Sequence, residues 1–206
     1  MSVRAGTLNQ TTGGVHAEVL SRRKHAEYKR ISEAGDPFLP NDIAILKLKT
    51  PIEKSKTIAY ATLPANGSDP AANSTAFIAG WGSTKDMYGG PQALLNKATI
   101  PILTREDCSK LDPLAKGNNA IVCAGGVAGQ NVCRLDSGGP LVDQKTGEVI
   151  GLASWILEEP GQDPKRVTQC GKAPAVFTRV GSYIPFILEN LKASKQPENL
   201  GKARTL

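Results

Sequence analysis

Ser137 stands in the run CRLDSGGP, residues 133–140, between an aspartate and a pair of glycines. A serine in such a turn is a candidate nucleophile, although a serine in a glycine turn need do no chemistry at all. Attack by its hydroxyl requires a base to take the proton. The chain has two histidines, His16 and His25, and both read as ordinary surface residues rather than as that base. Asp42 precedes the apolar run 43–48, and an aspartate at a strand start commonly serves as a cap or turn residue.

The rest of the chain must position these groups. Its 206 residues, 40% hydrophobic, suffice for one all-β domain or a two-lobed unit with a sizeable core. With 21 glycines and 14 prolines between short apolar runs, the composition favours many short strands over a helical bundle. The formal charge of +6 comes partly from a loose C-terminal tail and from a cluster around Arg22, Arg23 and Lys24. Stacking aromatics are scarce in both, which argues against nucleic acid and for solvated charge. No segment is long and apolar enough to span a bilayer.

Cys108, Cys123, Cys133 and Cys170 form an even set without CxxC spacing. They are two disulfides or four buried thiols, and zinc or thioredoxin chemistry is disfavoured. Disulfides, together with acceptor triplets for glycosylation at Asn9, Asn66 and Asn73, point to an oxidising compartment. The start, MSVRAGTLNQ, has no signal-peptide pattern.

Strands are predicted over 3–8, 15–20 and 43–48 in a first lobe, with Ile43 and Ile45 on one side and Leu46 on the other. A loop of small residues over 64–75 leads to a second lobe, with the boundary near Gly67. Strands follow over 76–80, 96–103, 121–124, 140–142, 149–155 and 175–180. A terminal helix is expected after Ser182 as N-cap, with Ile184, Ile187, Leu188 and Leu191 on one face. The expected units are therefore 1–66, 67–194 and a basic tail over 195–206.

Motifs in order, NDIAILKL at 41–48, AGWG at 79–82, DSGGP, the pair Ser154-Trp155 and VFTRV at 176–180, together resemble the trypsin-like branch of the chymotrypsin family of serine proteases. The wording of RAGTLN and NDIAILKL is most similar to fungal trypsins. The resemblance implies an all-β double barrel with an incomplete first barrel, a complete second barrel and a short C-terminal helix. It implies endopeptidase chemistry, with Asp42 and Ser137 as triad members and Ser154 supporting Asp42. It also implies disulfides Cys108 to Cys123 and Cys133 to Cys170, protein or peptide substrates or a protein inhibitor as partners, an extracellular location, and no metal or cofactor.

Departures from the family pattern shape the expectation further. The segment that would carry the triad histidine, like TAAHC, is not matched, and loss of the equivalent base in subtilisin costs on the order of a millionfold in turnover. An IVGG-like terminus that would pair with Asp136 is also unmatched, so Asp136 is expected to turn to solvent or another partner. Leu135 replaces the glycine whose N–H, with that of Ser137, would form the oxyanion hole. Asn131 stands where a trypsin-like pocket has its aspartate, and Ile156 and Ala175 replace glycines of the pocket wall. The chain is thus expected to be a family member that is inactive as it stands, or a non-catalytic homologue acting as a binding module or inhibitor. Exposed edges of the first barrel are expected to favour self-association.

Overall fold

A computed structural model describes residues 1–29, 41–86, 88–127, 129–157, 170–171 and 173–193. The expected tail over 195–206 lies outside the described residues. Strands β1 (Ser2–Ala5), β2 (Val15–Lys24) and β3 (Ala44–Leu48) form one antiparallel sheet in chain order. Strands β4 (Thr75–Gly80), β5 (Asn96–Pro101), β6 (Ile121–Ala124), β7 (Pro140–Asp143), β8 (Val149–Ile156) and β9 (Ala175–Arg179) form a second sheet ordered β5-β4-β7-β8-β9-β6. The fold is all-β and trypsin-like, with a partial first barrel and a terminal helix.

The second sheet closes on itself. Leu103 N–H donates to Cys123 O at 2.9 Å and Gly125 N–H to Pro101 O at 2.9 Å, joining the end of β5 to β6. Closure removes the sheet edges. Inside it Ala76, Ile100, Leu141, Ala175 and Phe177 are 0% exposed, one or more from each of β4, β5, β7 and β9. Period-two alternation supplies this packing: in β4, Ala76 and Ile78 point inward, while Phe77 faces outward under the ammonium of Lys97.

In the first sheet, opposed residues share a face. Val3 and Ala5 lie with Ala17 and Val15, and beyond them Val19 with Leu48 and Arg22 with Leu46, so this face is largely apolar. Leu20 is the extra residue of a bulge between Val19 and Ser21. Ala17 is buried, but Val15 is 46%, Leu46 42% and Leu20 52% exposed. Among the described residues, β1 and β3 each pair with β2 alone, which leaves both outer edges open.

The other face of β3 meets the second lobe. Ile43 joins Val180, Tyr183, Ile184 and Ile187 in one cluster, with Ile45 against it. A buried arginine fastens the connection between the sheets: Arg179 donates to Ser68 O at 2.9 Å, to Asp69 Oδ1 at 3.2 Å and to Asn119 O at 2.6 Å. Asp69 in turn receives two nitrogens of Arg105, so the buried charge is paired and solvated by carbonyls.

Three local expectations change. The helix α1 (Arg105–Leu111) is absent from the sequence reading because its seven residues carry no apolar period. Thr104 caps it, accepting from Asp107 N–H at 3.0 Å, and the disulfide from Cys108 to Cys123 pins it to β6. Ser182 is not the N-cap of the terminal helix α2 (Ile184–Ala193). It lies within a 3-10 turn, Val180–Tyr183, and its hydroxyl donates to Asn119 O at 2.6 Å. The buried side of α2 is formed by Ile184, Ile187 and Asn190, whereas Leu188 and Leu191 are exposed. Asn190 is satisfied there by Phe186 O at 2.7 Å and by Arg23 at 3.3 Å.

The two sheets should answer differently to truncation. Phe177→Ala, in the closed core, is expected to cost about 3–5 kcal/mol, while Leu46→Ala on the open face changes stability by about 0.5 kcal/mol or less. Urea denaturation of the two variants measures the contrast.

Candidate active site

The loop over 133–139 is built around the Asp136 carboxylate. Its Oδ1 accepts Gly82 N–H at 2.8 Å and its Oδ2 accepts Cys133 N–H at 2.9 Å. A Cβ at Gly80 or Gly82 would run into that carboxylate. The AGWG and DSGGP runs are therefore one structural unit: two glycines vacate the volume that Asp136 enters. Asp136 thus finds its partners in two backbone donors, which suit a carboxylate well. It forms a wall of a cleft of about 510 Å³ that Ser83, Lys97 and Asn131 also line.

Beside it, Leu135 has φ +76°. The side chain, 51% exposed, is carried on a backbone conformation natural to glycine. Asp136 N–H donates to Cys133 O at 3.0 Å and Gly138 N–H to Ala153 O at 2.7 Å, fixing the turn. Among the described residues, the N–H groups of Leu135 and Ser137 have no protein acceptor. Ser137 itself is exposed.

Asp42 is positioned by a different mechanism. Asn41 takes φ +57°, a conformation asparagine tolerates, and its side-chain oxygen accepts the Tyr183 hydroxyl at 3.0 Å. The turn delivers the Asp42 carboxylate to Ser154, whose hydroxyl donates to Oδ2 at 2.7 Å, while Thr178 donates to the Asp42 carbonyl at 2.9 Å. Ser154 is the extra residue of a bulge in β8, between Ala153 and Trp155. The bulge aims its hydroxyl across the lobes. Thr178 and Asn41 carry no signal of their own in the sequence beyond their places within VFTRV and NDIAILKL. Burial holds the Tyr183 phenol above its ordinary range, against the pull of its hydrogen bond at Asn41, and the Asp42 charge adds to the rise.

Neither histidine is brought to Ser137 by any contact. His25 stands edge-on to Tyr183, with ring centroids 5.5 Å apart, and against Phe186 at 5.1 Å, and its Nδ1 accepts Glu27 N–H at 3.3 Å. His16 lies on β2 opposite Arg4, in a cleft with Trp81. Asn131 spends its carboxamide locally: Nδ2 donates to Ala173 O and Oδ1 accepts Val132 N–H at 2.8 Å. Ile156 and Ala175 oppose each other across β8 and β9; Ala175 is fully buried and Ile156 packs against the same core. The disulfides are Cys108 to Cys123 and Cys133 to Cys170, with Cα atoms 5.8 and 5.4 Å apart, the second tying the Ser137 loop to residue 170.

An exposed serine in a glycine turn, an aspartate held across the lobes and a closed second barrel match the architecture of the serine-protease family, and sequence comparison agrees. The trypsin family model matches residues 1–187, and the chain belongs to that family. It is 35% identical to mouse chymotrypsin-C over 191 residues, covering 90% of this chain and 66% of that protein. It is 34% identical to fibrinolytic enzyme isozyme C of Lumbricus rubellus over 187 residues, covering 88% of this chain and 73% of that protein. The fold is similar to that of mouse neuropsin, a serine protease, with TM-score 0.76 and 27% identity over 92% of this chain and 78% of that one. A scabies mite inactivated protease paralogue superposes with TM-score 0.75 at 23% identity, covering 96% of this chain and 78% of that one. The chain spans just under two thirds of the length of its chymotrypsin-C relatives.

Strain at Leu135 is measurable. A left-handed conformation costs a non-glycine residue about 1–2 kcal/mol, so Leu135→Gly is expected to raise stability by about 1 kcal/mol in urea denaturation, whereas Leu135→Ala brings no such gain.

Proposed function

We propose that this chain is a serine-peptidase homologue that, as it stands, does not hydrolyse peptide bonds, and that its Ser137 face binds protein or peptide segments without cleaving them. The observation that carries this reading is the placement of the histidines, one against Tyr183 and Phe186 and the other beside Arg4 and Trp81. Without a base, the hydroxyl of Ser137 keeps its proton. Asp42 with Ser154 is then an orienting pair with no imidazole between it and the nucleophile. Leu135 and Ser137 would supply oxyanion donors, Asn131, Ser154, Ile156 and Ala175 a neutral and narrowed specificity pocket, and Asp136 an activation carboxylate held by backbone donors. Ile156, Ala175 and Asn131 support recognition other than that of a basic side chain. The scabies mite paralogue, described as inactivated, offers a precedent for this fold without activity. Two disulfides support an extracellular or otherwise oxidising setting.

A serine-reactive fluorophosphonate tests the central point. The chain is expected to remain unlabelled, and its turnover of a peptide thioester should equal that of Ser137→Ala. Labelling at Ser137 would overturn the proposal.

The open edges of β1 and β3, together with exposed Val15, Leu20 and Leu46, support self-association as well. Sedimentation velocity of the full chain is expected to show species heavier than the 21.8 kDa monomer, increasing with concentration. A single monomeric boundary would contradict this.

A further inference from the structure

Three Asn-X-Ser/Thr triplets, at Asn9, Asn66 and Asn73, are acceptors for an N-linked glycan by sequence. The fold treats them differently. Asn9 is half-buried in a cleft beside Trp81, and its Oδ1 accepts the Thr11 N–H at 2.9 Å, the Thr11 hydroxyl at 3.1 Å and the Thr12 N–H at 3.0 Å. The hydroxyl that completes this triplet is therefore spent on the asparagine itself. Such a turn is local and needs no tertiary structure to form.

Asn66 is exposed at the tip of a turn from Ala65 to Ser68, yet Ser68 is half-buried and its hydroxyl donates to Ala65 O at 2.8 Å, again within the loop. Asn73 differs from both. It is exposed at φ +64°, a left-handed conformation that asparagine tolerates. Its N–H donates to Ile102 O at 2.9 Å, and Ser74 O accepts the Ile102 N–H at 2.8 Å. Main-chain bonds thus hold the turn, while the Asn73 carboxamide has no protein partner among the described residues. The hydroxyl of this triplet, on exposed Thr75, donates to Gln144 Oε1 at 2.8 Å, 69 residues away in the chain. That bond exists only once β4 has paired with β7, so before folding both the amide and the hydroxyl are free. Ile102 and Gln144 belong to the closed lobe, so the exposure of Asn73 does not depend on the first sheet.

We propose that Asn73 is a modification site that carries an N-linked oligosaccharide. In the transfer, Nδ2 attacks the anomeric carbon of a lipid-linked oligosaccharide diphosphate. The new C–N bond forms, the C–O bond to the diphosphate breaks with its electron pair on oxygen, and Nδ2 loses one proton. Transfer meets the chain before it folds, which favours Asn73 over Asn9 and Asn66. The folded barrel then presents the sugar to solvent without displacing a hydrogen bond of the turn. The site rests on the oxidising, extracellular setting read above, because the donor is met on that route; it is independent of the inactivity proposed for Ser137.

The test places the full chain behind a cleavable secretion signal in insect cells. Cell-associated and secreted protein are read together, by gel mobility before and after peptide-N-glycosidase and by mass spectrometry of the peptides that hold the three triplets. Asn73 is expected to be the most occupied of the three, its sugar released by the enzyme with conversion of the asparagine to aspartate. Thr75→Ala should abolish the Asn73 glycan and Thr75→Ser should retain it. Because protein kept inside the cells is counted too, these results do not depend on how well either variant folds. An unmodified Asn73 on chain that has lost its signal, or occupancy at Asn9 equal to or above that at Asn73, overturns the proposal. The disulfides report the setting separately: chain glycosylated at Asn73 but secreted with free thiols at Cys108, Cys123, Cys133 and Cys170 upholds the site and counts against the oxidising setting.

Discussion

Closure of the second sheet is the constraint on which this molecule depends. Once Leu103 and Gly125 bond across to Cys123 and Pro101, every strand of that lobe has partners on both sides and its interior is sealed. The core can then hold small and large side chains alike at full burial, with Ala76, Ala175 and Phe177 wholly covered. Among the described residues the first sheet has no comparable closure. It borrows its order from the closed lobe, through Ile43 and Ile45 against the terminal helix and through the buried Arg179 that gathers the connecting loop.

The same scaffold fixes the polar groups around Ser137. Asp136 is held by two backbone N–H donors in a space that Gly80 and Gly82 leave free, so its carboxylate is seated within the fold by main-chain groups. Asp42 is held from the opposite side by Ser154 and Thr178, residues of the closed barrel. These two carboxylates are thus part of the architecture whether or not any chemistry follows. Their presence alone does not imply turnover, because proton transfer from a serine depends on a base placed within hydrogen-bond reach.

Leu135 illustrates how a loop can hold a side chain in a conformation that costs it energy. Its φ of +76° is the conformation a glycine would take, and the loop around it is still tied at Cys133, Ala153 and Asp136. Neighbouring hydrogen bonds over-determine the turn, so the strain is borne locally. At Asn131 the outcome is the reverse. A side chain without charge finds partners at Val132 in its own loop and at Ala173 just before β9.

Strand positions were legible in the sequence because period-two alternation and glycine-rich turns are local properties. The ranges at 121–124, 140–143 and 149–156 follow from them closely. Helix α1 was not legible, since its stability comes from the Thr104 cap and a disulfide rather than from an apolar stripe. Leu188 and Leu191 misled for a related reason: apolarity predicts a face, but the neighbours decide which residues are covered, and Asn190 is buried instead. The family, the residue types at 42, 135, 136 and 137, and the even set of cysteines are all readable from residue order alone. Only the tertiary structure decided what those types do. A bulge aims Ser154 at Asp42, two distant glycines make room for Asp136, and the two histidines are carried to separate surfaces. Each of these is a relation between residues far apart in the chain, set by strand register and packing, and no local pattern encodes it.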